Sequence, residues 1–302
     1  MAFKTKTAPH YFWQPWIWAC RPKTLTIAPI PILVGTVLAQ TFGTPIKWSL
    51  TAWALVCAIW IQMAANLIND ALDFKKGADT NERVGPQRMT QAGFLTPVQV
   101  LAGGIVCMGL ALLSGIPLIL EAGQPCLYLI LISILCSYIY TGGPYPLAYA
   151  GLGEIFVFVF FGLGATAGVF YIQTGYIDAR SLLAGSEMGL LASVVIAINN
   201  FRDTLQDAQI GKNTLAVRFG KRFARLEIAF LALFPFLLNL FWMGERLTLA
   251  AALPFLALPV AIRVLLGIWR YEPGPILNQF FLQSVLLHML FGCLLSLGLW
   301  VA

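Results

Sequence analysis

Charge is scarce in this chain: 11% of its 302 residues are Asp, Glu, Lys or Arg, against 59% hydrophobic residues. With a mean hydropathy of +0.80, that balance excludes an ordinary soluble domain. Histidine is nearly missing. His10 and His288 each stand alone, so no obvious His/Asp dyad is available for acid–base or nucleophilic work. The six cysteines (Cys20, Cys57, Cys107, Cys126, Cys136 and Cys293) form no CxxC pair and read as small apolar packing residues. The amino-terminal stretch lacks a charged-then-apolar-then-small cleavage pattern and is not read as a signal peptide. Its Trp13, Trp16 and Trp18 suit a helix lying at the membrane interface. The net charge of +6 is not gathered into one basic patch, which argues against nucleic acid and for anionic lipid or phosphate as the partner.

What fills the chain is a series of apolar runs, at about 24–42, 49–68, 98–120, 126–141, 155–174, 181–200, 226–244, 247–268 and 280–301. Most approach the roughly 20 residues that a helix needs to cross a bilayer. The fourth run is short and the eighth contains Arg263, so their boundaries are the softest. The expected fold is all-α: a polytopic bundle of nine transmembrane helices in a single membrane domain over residues 1–302, with 1–23 cytoplasmic or interfacial. Two long cytoplasmic loops are expected after helices 2 and 6, at about 70–96 and 201–225. Numbered this way, only Lys47, Arg180 and Arg246 of the 19 basic residues fall on one side of the membrane. The positive-inside rule then puts the amino terminus in the cytoplasm and the carboxy terminus outside. The expected location is the inner (plasma) membrane.

Two polar clusters interrupt the hydrocarbon: Asn69-Asp70-Ala71-Leu72-Asp73, and Asn199-Asn200-Phe201-Arg202-Asp203 continuing to Asp207. Carboxylates are expensive near a bilayer and need a functional reason. Each cluster has an Asn-x-x-x-Asp core, and an offset of 130 residues superposes Asn69 on Asn199 and Asp73 on Asp203. Either an ancient duplication or convergence on one ligand spacing accounts for the match. Positions four apart share a helix face, so Asn69 and Asp73, and likewise Asn199, Asp203 and Asp207, can point at common centres. Oxygen donors without Cys or His select Mg²⁺ or a similar cation, and Mg²⁺ keeps coordination sites for substrate phosphate. Asp70 and Asp79 are further candidate ligands; Asp79, like Glu82, equally suits a solvated loop.

Bases accompany the acids. Arg83-Val84-Gly85-Pro86-Gln87-Arg88 places two guanidinium groups on the first loop, and Gly211-Lys212-Asn213-Thr214 an ammonium on the second. The latter is not a P-loop, because the upstream glycine and the strand are missing. Arg202 lies within the second acidic cluster. Arg21 and Lys23, in Arg21-Pro22-Lys23-Thr24, either bind phosphate or anchor the first helix at the interface. In Tyr140-Thr141-Gly142-Gly143-Pro144-Tyr145-Pro146, Tyr140 and Tyr145 either line a carbocation site or decorate an ordinary turn.

These motifs together resemble the UbiA superfamily of intramembrane prenyltransferases, and within it the 1,4-dihydroxy-2-naphthoate polyprenyltransferases of menaquinone and phylloquinone biosynthesis. The superfamily part is Asn69-Asp70-x-x-Asp73 with Asp203-x-x-x-Asp207; the subfamily part is Arg21-Pro-Lys-Thr24, Gly77-x-Asp79, Arg83-x-Gly-Pro-x-Arg88, Asn199-Asn-x-Arg-Asp203 and Gly211-Lys-x-Thr-Leu-Ala-Val-Arg218. Gly77 stands where many members carry a third acid, which puts direct ligation by Asp79 in question. The resemblance implies Mg²⁺ on the acidic clusters, an isoprenyl diphosphate donor bound by Arg21, Lys23, Arg83, Arg88, Arg202 and Lys212, and transfer of the isoprenyl group to 1,4-dihydroxy-2-naphthoate with loss of CO₂. Rival expectations are a UbiA-type enzyme acting on 4-hydroxybenzoate or transferring phytyl, and an ion-coupled transporter.

Overall fold

The computed structural model describes residues 11–78 and 84–302. A short helix α1 (Gln14–Ala19) precedes α2 (Pro22–Thr41), α3 (Trp48–Lys75), α4 (Pro97–Ala122), α5 (Gln124–Ile139) and α6 (Gly153–Thr174). There follow α7 (Ala179–Arg202), the short α8 (Thr204–Gln209), α9 (Leu215–Gly244), α10 (Thr248–Arg270) and α11 (Leu277–Val301). Among the described residues eight helices are long and apolar enough to cross a membrane, and α5, with 16 residues, is apolar but shorter. The chain is a multi-pass, all-helical membrane protein.

The apolar runs locate the helices but not their ends. The first connection starts later than expected, because α3 continues through Asp73 to Lys75. The region 201–225 is not one long loop: it contains α8 and the first turns of α9, which bends at Gly220. Backbone hydrogen bonding does not stop where side chains become polar, so a helix can project beyond its apolar stretch. Arg263 is exposed on α10, two turns from its end, where a long side chain can snorkel toward water.

Close packing sets the relation between the two halves. Within α6, residues Phe158–Gly164 form a π-helical turn, and a Cβ at Gly162 would lie 2.4 Å from the Gly185 carbonyl oxygen and from the Gly189 Cα of α7. Only glycine permits that backbone-to-backbone approach. The contact seats the start of α6 against the end of α7, where Asn200 Nδ2 donates to Glu154 Oε1 at 2.6 Å and Ser193 Oγ to the Glu154 carbonyl at 3.0 Å. Trp16 of α1 fills the space above Gly103 of α4.

Candidate active site

The last turns of α3 carry Asn66, Asn69, Asp70 and Asp73. Asn66 Nδ2 donates to the Cys20 carbonyl at 2.9 Å and to Thr24 Oγ1 at 3.3 Å, tying α3 to the start of α2. Asn69 is a junction. Its Oδ1 accepts from Arg21 Nη2 at 2.8 Å and also from Arg88 Nη2, while its Nδ2 donates to Thr141 Oγ1 at 2.9 Å. Arg21 reaches it from a left-handed backbone conformation (φ 54°, ψ 68°) immediately before Pro22. That is strained for a residue with a Cβ, and such strain persists where surrounding contacts over-determine it.

Asp73 accepts a 2.9 Å hydrogen bond from the Tyr149 hydroxyl and lies 3.4 Å from Arg88 Nη2. Asp70 turns elsewhere: its carboxylate accepts from the Met89 amide at 3.1 Å, the Thr90 amide at 3.4 Å and the Thr90 hydroxyl. It therefore holds the segment that presents Arg88, and those bonds compete with the ligand role expected for it.

The end of α7 is organised by Arg202. Its Nε and Nη2 donate to the two oxygens of Asp203 at 2.7 Å each, Nη2 also to Asn199 Oδ1 at 2.7 Å, and Nη1 to Asn278 Oδ1 at 2.8 Å. Asn278 donates in turn to the Val84 carbonyl at 3.3 Å. Arg202 thus clamps Asp203 and joins α7 to α11 and the first connecting loop; its donors face protein oxygens rather than open space. One turn on, Asp207 lies 3.4 Å from Lys212 Nζ. Burial, opposed by Lys212 and reinforced by Asp203 and Asp73, pushes the Asp207 carboxyl up to about 6. For Lys212, burial works against the charge, but Asp207, Asp73 and Asp203 outweigh it and raise the ammonium above its ordinary value. The pull of Asp73, Asp203 and Asp207 thus converges electrostatically on one lysine, which Asp207 meets directly.

The connection between α5 and α6 closes the site from the side. The Lys76 ammonium lies 4.3 Å from the centre of the Tyr149 ring and donates to the Thr141 carbonyl at 2.6 Å. The Asn213 amide donates to the Tyr149 carbonyl at 3.0 Å. A Cβ on Gly151, where φ is +70°, would meet the Asn213 carbonyl oxygen at 2.8 Å. Tyr140 is tilted against Phe156 with ring centres 5.3 Å apart, and Phe156 stacks on Phe160 at 4.5 Å. Tyr145 is 85% exposed. Tyr149 is the tyrosine on the acid cluster, and sequence reasoning missed it. Its signal was faint: it lies outside the Gly/Pro turn, where no charged motif marks it. Asn278 and Glu154 were missed as well, since isolated polar residues at helix starts look like interface residues. Lys23 is exposed, while Asp79 and Arg83 lie outside the described residues.

Among the described residues, no three acidic, His or Cys side chains are already drawn round a single point. The donor set nonetheless fits a hard cation. Asn69, Asp73, Asn199, Asp203 and Asp207 offer oxygen only, and Asp207 Oδ2 is buried without a hydrogen-bond partner.

The profile of the UbiA prenyltransferase family matches residues 28–302. The chain belongs to this family. It is 36% identical over 297 residues to a Haemophilus influenzae protein named 1,4-dihydroxy-2-naphthoate octaprenyltransferase, covering 94% of this chain and 96% of the relative. A Bacillus subtilis protein of the same name is 31% identical over 287 residues, covering 93% and 91%. Among solved structures, the apo form of a UbiA homolog from Aeropyrum pernix superposes with a TM-score of 0.68 at 15% identity, covering 90% of this chain and 97% of the other. A UbiA homolog from Archaeoglobus fulgidus bound to DMAPP and Mg²⁺ gives 0.59 at 16%, covering 93% and 99%. These two likenesses establish the shared fold.

Proposed function

We propose that the chain transfers an isoprenyl group from an allylic isoprenyl diphosphate to 1,4-dihydroxy-2-naphthoate, releasing diphosphate and CO₂. The observation that carries this reading is the acid–base cluster at the ends of α3 and α7, an oxygen donor set without Cys or His whose bases are already gathered beside it. The names of the relatives supply the aromatic substrate. Asp73, Asp203 and Asp207, with the side-chain oxygens of Asn69 and Asn199, would hold Mg²⁺, which neutralises diphosphate charge and improves it as a leaving group.

Arg21, Arg88 and Lys212 bind the diphosphate oxygens, and Tyr149 fixes the carboxylate of Asp73. When the allylic C–O bond breaks, its electron pair leaves with diphosphate and positive charge develops on the allyl group. The Tyr140 and Phe156 rings stabilise that charge and exclude water. The ring carbon bearing the carboxylate then forms the new C–C bond, and loss of CO₂ returns the electron pair to the ring. No base is needed to remove a ring proton there. In this reading α5 is the ninth span, the amino terminus is cytoplasmic, the site opens to the cytoplasm, and one domain carries the whole activity.

The test incubates purified protein with Mg²⁺, a panel of isoprenyl diphosphates and either 1,4-dihydroxy-2-naphthoate or 4-hydroxybenzoate. A product mass equal to prenylated naphthalenediol without CO₂ is expected. Turnover of 4-hydroxybenzoate alone would overturn the substrate assignment.

A further inference from the structure

Below the acid cluster, an apolar cavity runs between α2, α3, α4, α5 and α6, with Phe156, Phe160 and Ile61 on its wall. Among the described residues no charged side chain lines it. Three side chains on the wall carry oxygen: Gln62, Ser133 and Ser137. The two serine hydroxyls are already spent as donors, to the Leu129 and Ile134 carbonyls at 2.7 Å each. Gln62 is 93% buried; its Nε2 donates to the Thr24 carbonyl at 2.6 Å, while its Oε1 is buried with no partner. The Thr24 carbonyl can only accept, so it fixes which end of the amide is which. The polar wall of this cavity therefore presents one wholly unsatisfied acceptor, the Gln62 Oε1. An unsatisfied buried acceptor is costly unless a ligand supplies the missing donor.

An isoprenoid tail has no donor to give. A phenolic hydroxyl has one, with an aromatic body suited to the phenylalanine rings. Gln62 lies eleven residues before Asp73, about 16 Å along the helix axis, a span that a diphosphate group followed by a fused bicyclic ring would fill. Gln62 is also tied to Thr24, the residue that closes the Arg21-Pro22-Lys23-Thr24 segment, so its amide is held in place beside the start of α2.

Resting on the function given above, we propose that Gln62 is the specificity residue for the aromatic acceptor: its Oε1 accepts a hydrogen bond from the hydroxyl at position 4 of the dihydroxynaphthoate. No bond to oxygen is made or broken by this contact. It holds the ring in register for attack and rejects rings lacking that hydroxyl, because they leave the amide oxygen stranded.

The experiment compares the purified full chain with Gln62→Met, using geranyl diphosphate, Mg²⁺ and two acceptors, 1,4-dihydroxy-2-naphthoate and 1-hydroxy-2-naphthoate. The difference in intrinsic reactivity between the two rings is common to both proteins and cancels in the ratio of their kcat/KM values. The unsubstituted protein should prefer the dihydroxy acceptor by about tenfold more than Gln62→Met does, the scale of one buried hydrogen bond, with the KM for geranyl diphosphate within about twofold. An unchanged preference overturns the proposal, as does a raised geranyl diphosphate KM without any change in acceptor preference, which would mark Gln62 as a strut for α2. If Gln62→Met loses Mg²⁺-dependent binding of geranyl diphosphate, Gln62→Glu carries the test. Protonated in this apolar setting, it keeps both the donor to Thr24 and an acceptor, so wild-type preference is expected and its loss overturns the proposal. If the unsubstituted protein converts neither naphthoate, the proposed function itself falls; if it converts them but the preference ignores Gln62, only this inference falls.

Discussion

Asp203 and Asp207 lie one turn apart in one motif, yet replacing each by Asn should affect stability in opposite ways. Asp203 is held by two 2.7 Å bonds from an Arg202 side chain that is 1% exposed. Asp203→Asn strands that guanidinium without a counter-charge, a loss of about 3–5 kcal/mol for a broken buried pair. Asp207 is the reverse case. Its folded value of about 6 against an ordinary 3.8 means that ionisation is harder in the fold; at about 1.36 kcal/mol per pH unit, the charged form costs the folded state about 3 kcal/mol once the pH is above 6. The destabilisation is complete above the folded value and vanishes below the unfolded one. Asp207→Asn removes it at pH 8, and the new amide can still accept from Lys212, so stability should hold or rise. The assay is thermal melting of the purified proteins at pH 8 in EDTA, repeated in Mg²⁺ with prenyl transfer measured in parallel. In EDTA only Asp203→Asn should melt early. In Mg²⁺ the unsubstituted protein should gain stability by linkage while Asp207→Asn does not, and both variants should lose turnover. Equal destabilisation in EDTA, or normal turnover by Asp207→Asn, would refute the reasoning.

Other expectations follow from single contacts. Tyr149→Phe deletes the hydroxyl that donates to Asp73; turnover should fall about tenfold or more, as for hydrogen bonds to charged groups, with melting little changed, and steady-state kinetics beside a melting curve would check it. Gly162→Val drives a side chain into the Gly185 and Gly189 backbone, and overpacking of about 1–3 kcal/mol or more should appear as reduced folded yield in detergent. Because Mg²⁺ must displace the proton on Asp207, Mg²⁺ affinity read by calorimetry should weaken as the pH falls through about 6, approaching tenfold per pH unit; an affinity flat from pH 7 to 5 would remove Asp207 from the ligand set.

The parts of this architecture that repeat were legible in the sequence, and the parts that cross between repeats were not. Apolar runs such as 98–120 and 280–301 mark α4 and α11 because apolarity over about 20 residues has few other meanings. The spacing of Asn69 with Asp73 set both on one face at the end of α3, and that of Asp203 with Asp207 set these one turn apart, because helical periodicity is local. What periodicity cannot carry is partnership. That Asp70 serves the Met89 and Thr90 segment, that Arg202 is absorbed by Asp203, Asn199 and Asn278, and that Tyr149 rather than Tyr145 reaches Asp73 depend on contacts between segments up to 76 residues apart. The polar continuation of α9 was missed for a related reason: apolarity reports where lipid is, not where a helix begins.

Arg202 on Asp203, Arg88 beside Asp73 and Lys212 beside Asp207 give this cluster a matched set of opposite charges inside a protein of low dielectric. Losing Asp203 leaves Arg202 buried without its counter-charge, so that pair changes at least cost by a paired step, an acid and its base together. In the proposed reaction Arg88 and Lys212, the cations for a diphosphate, sit on Asp73 and Asp207, the carboxylates for its metal, so the two roles share one set of contacts. Selection on either one drags the other.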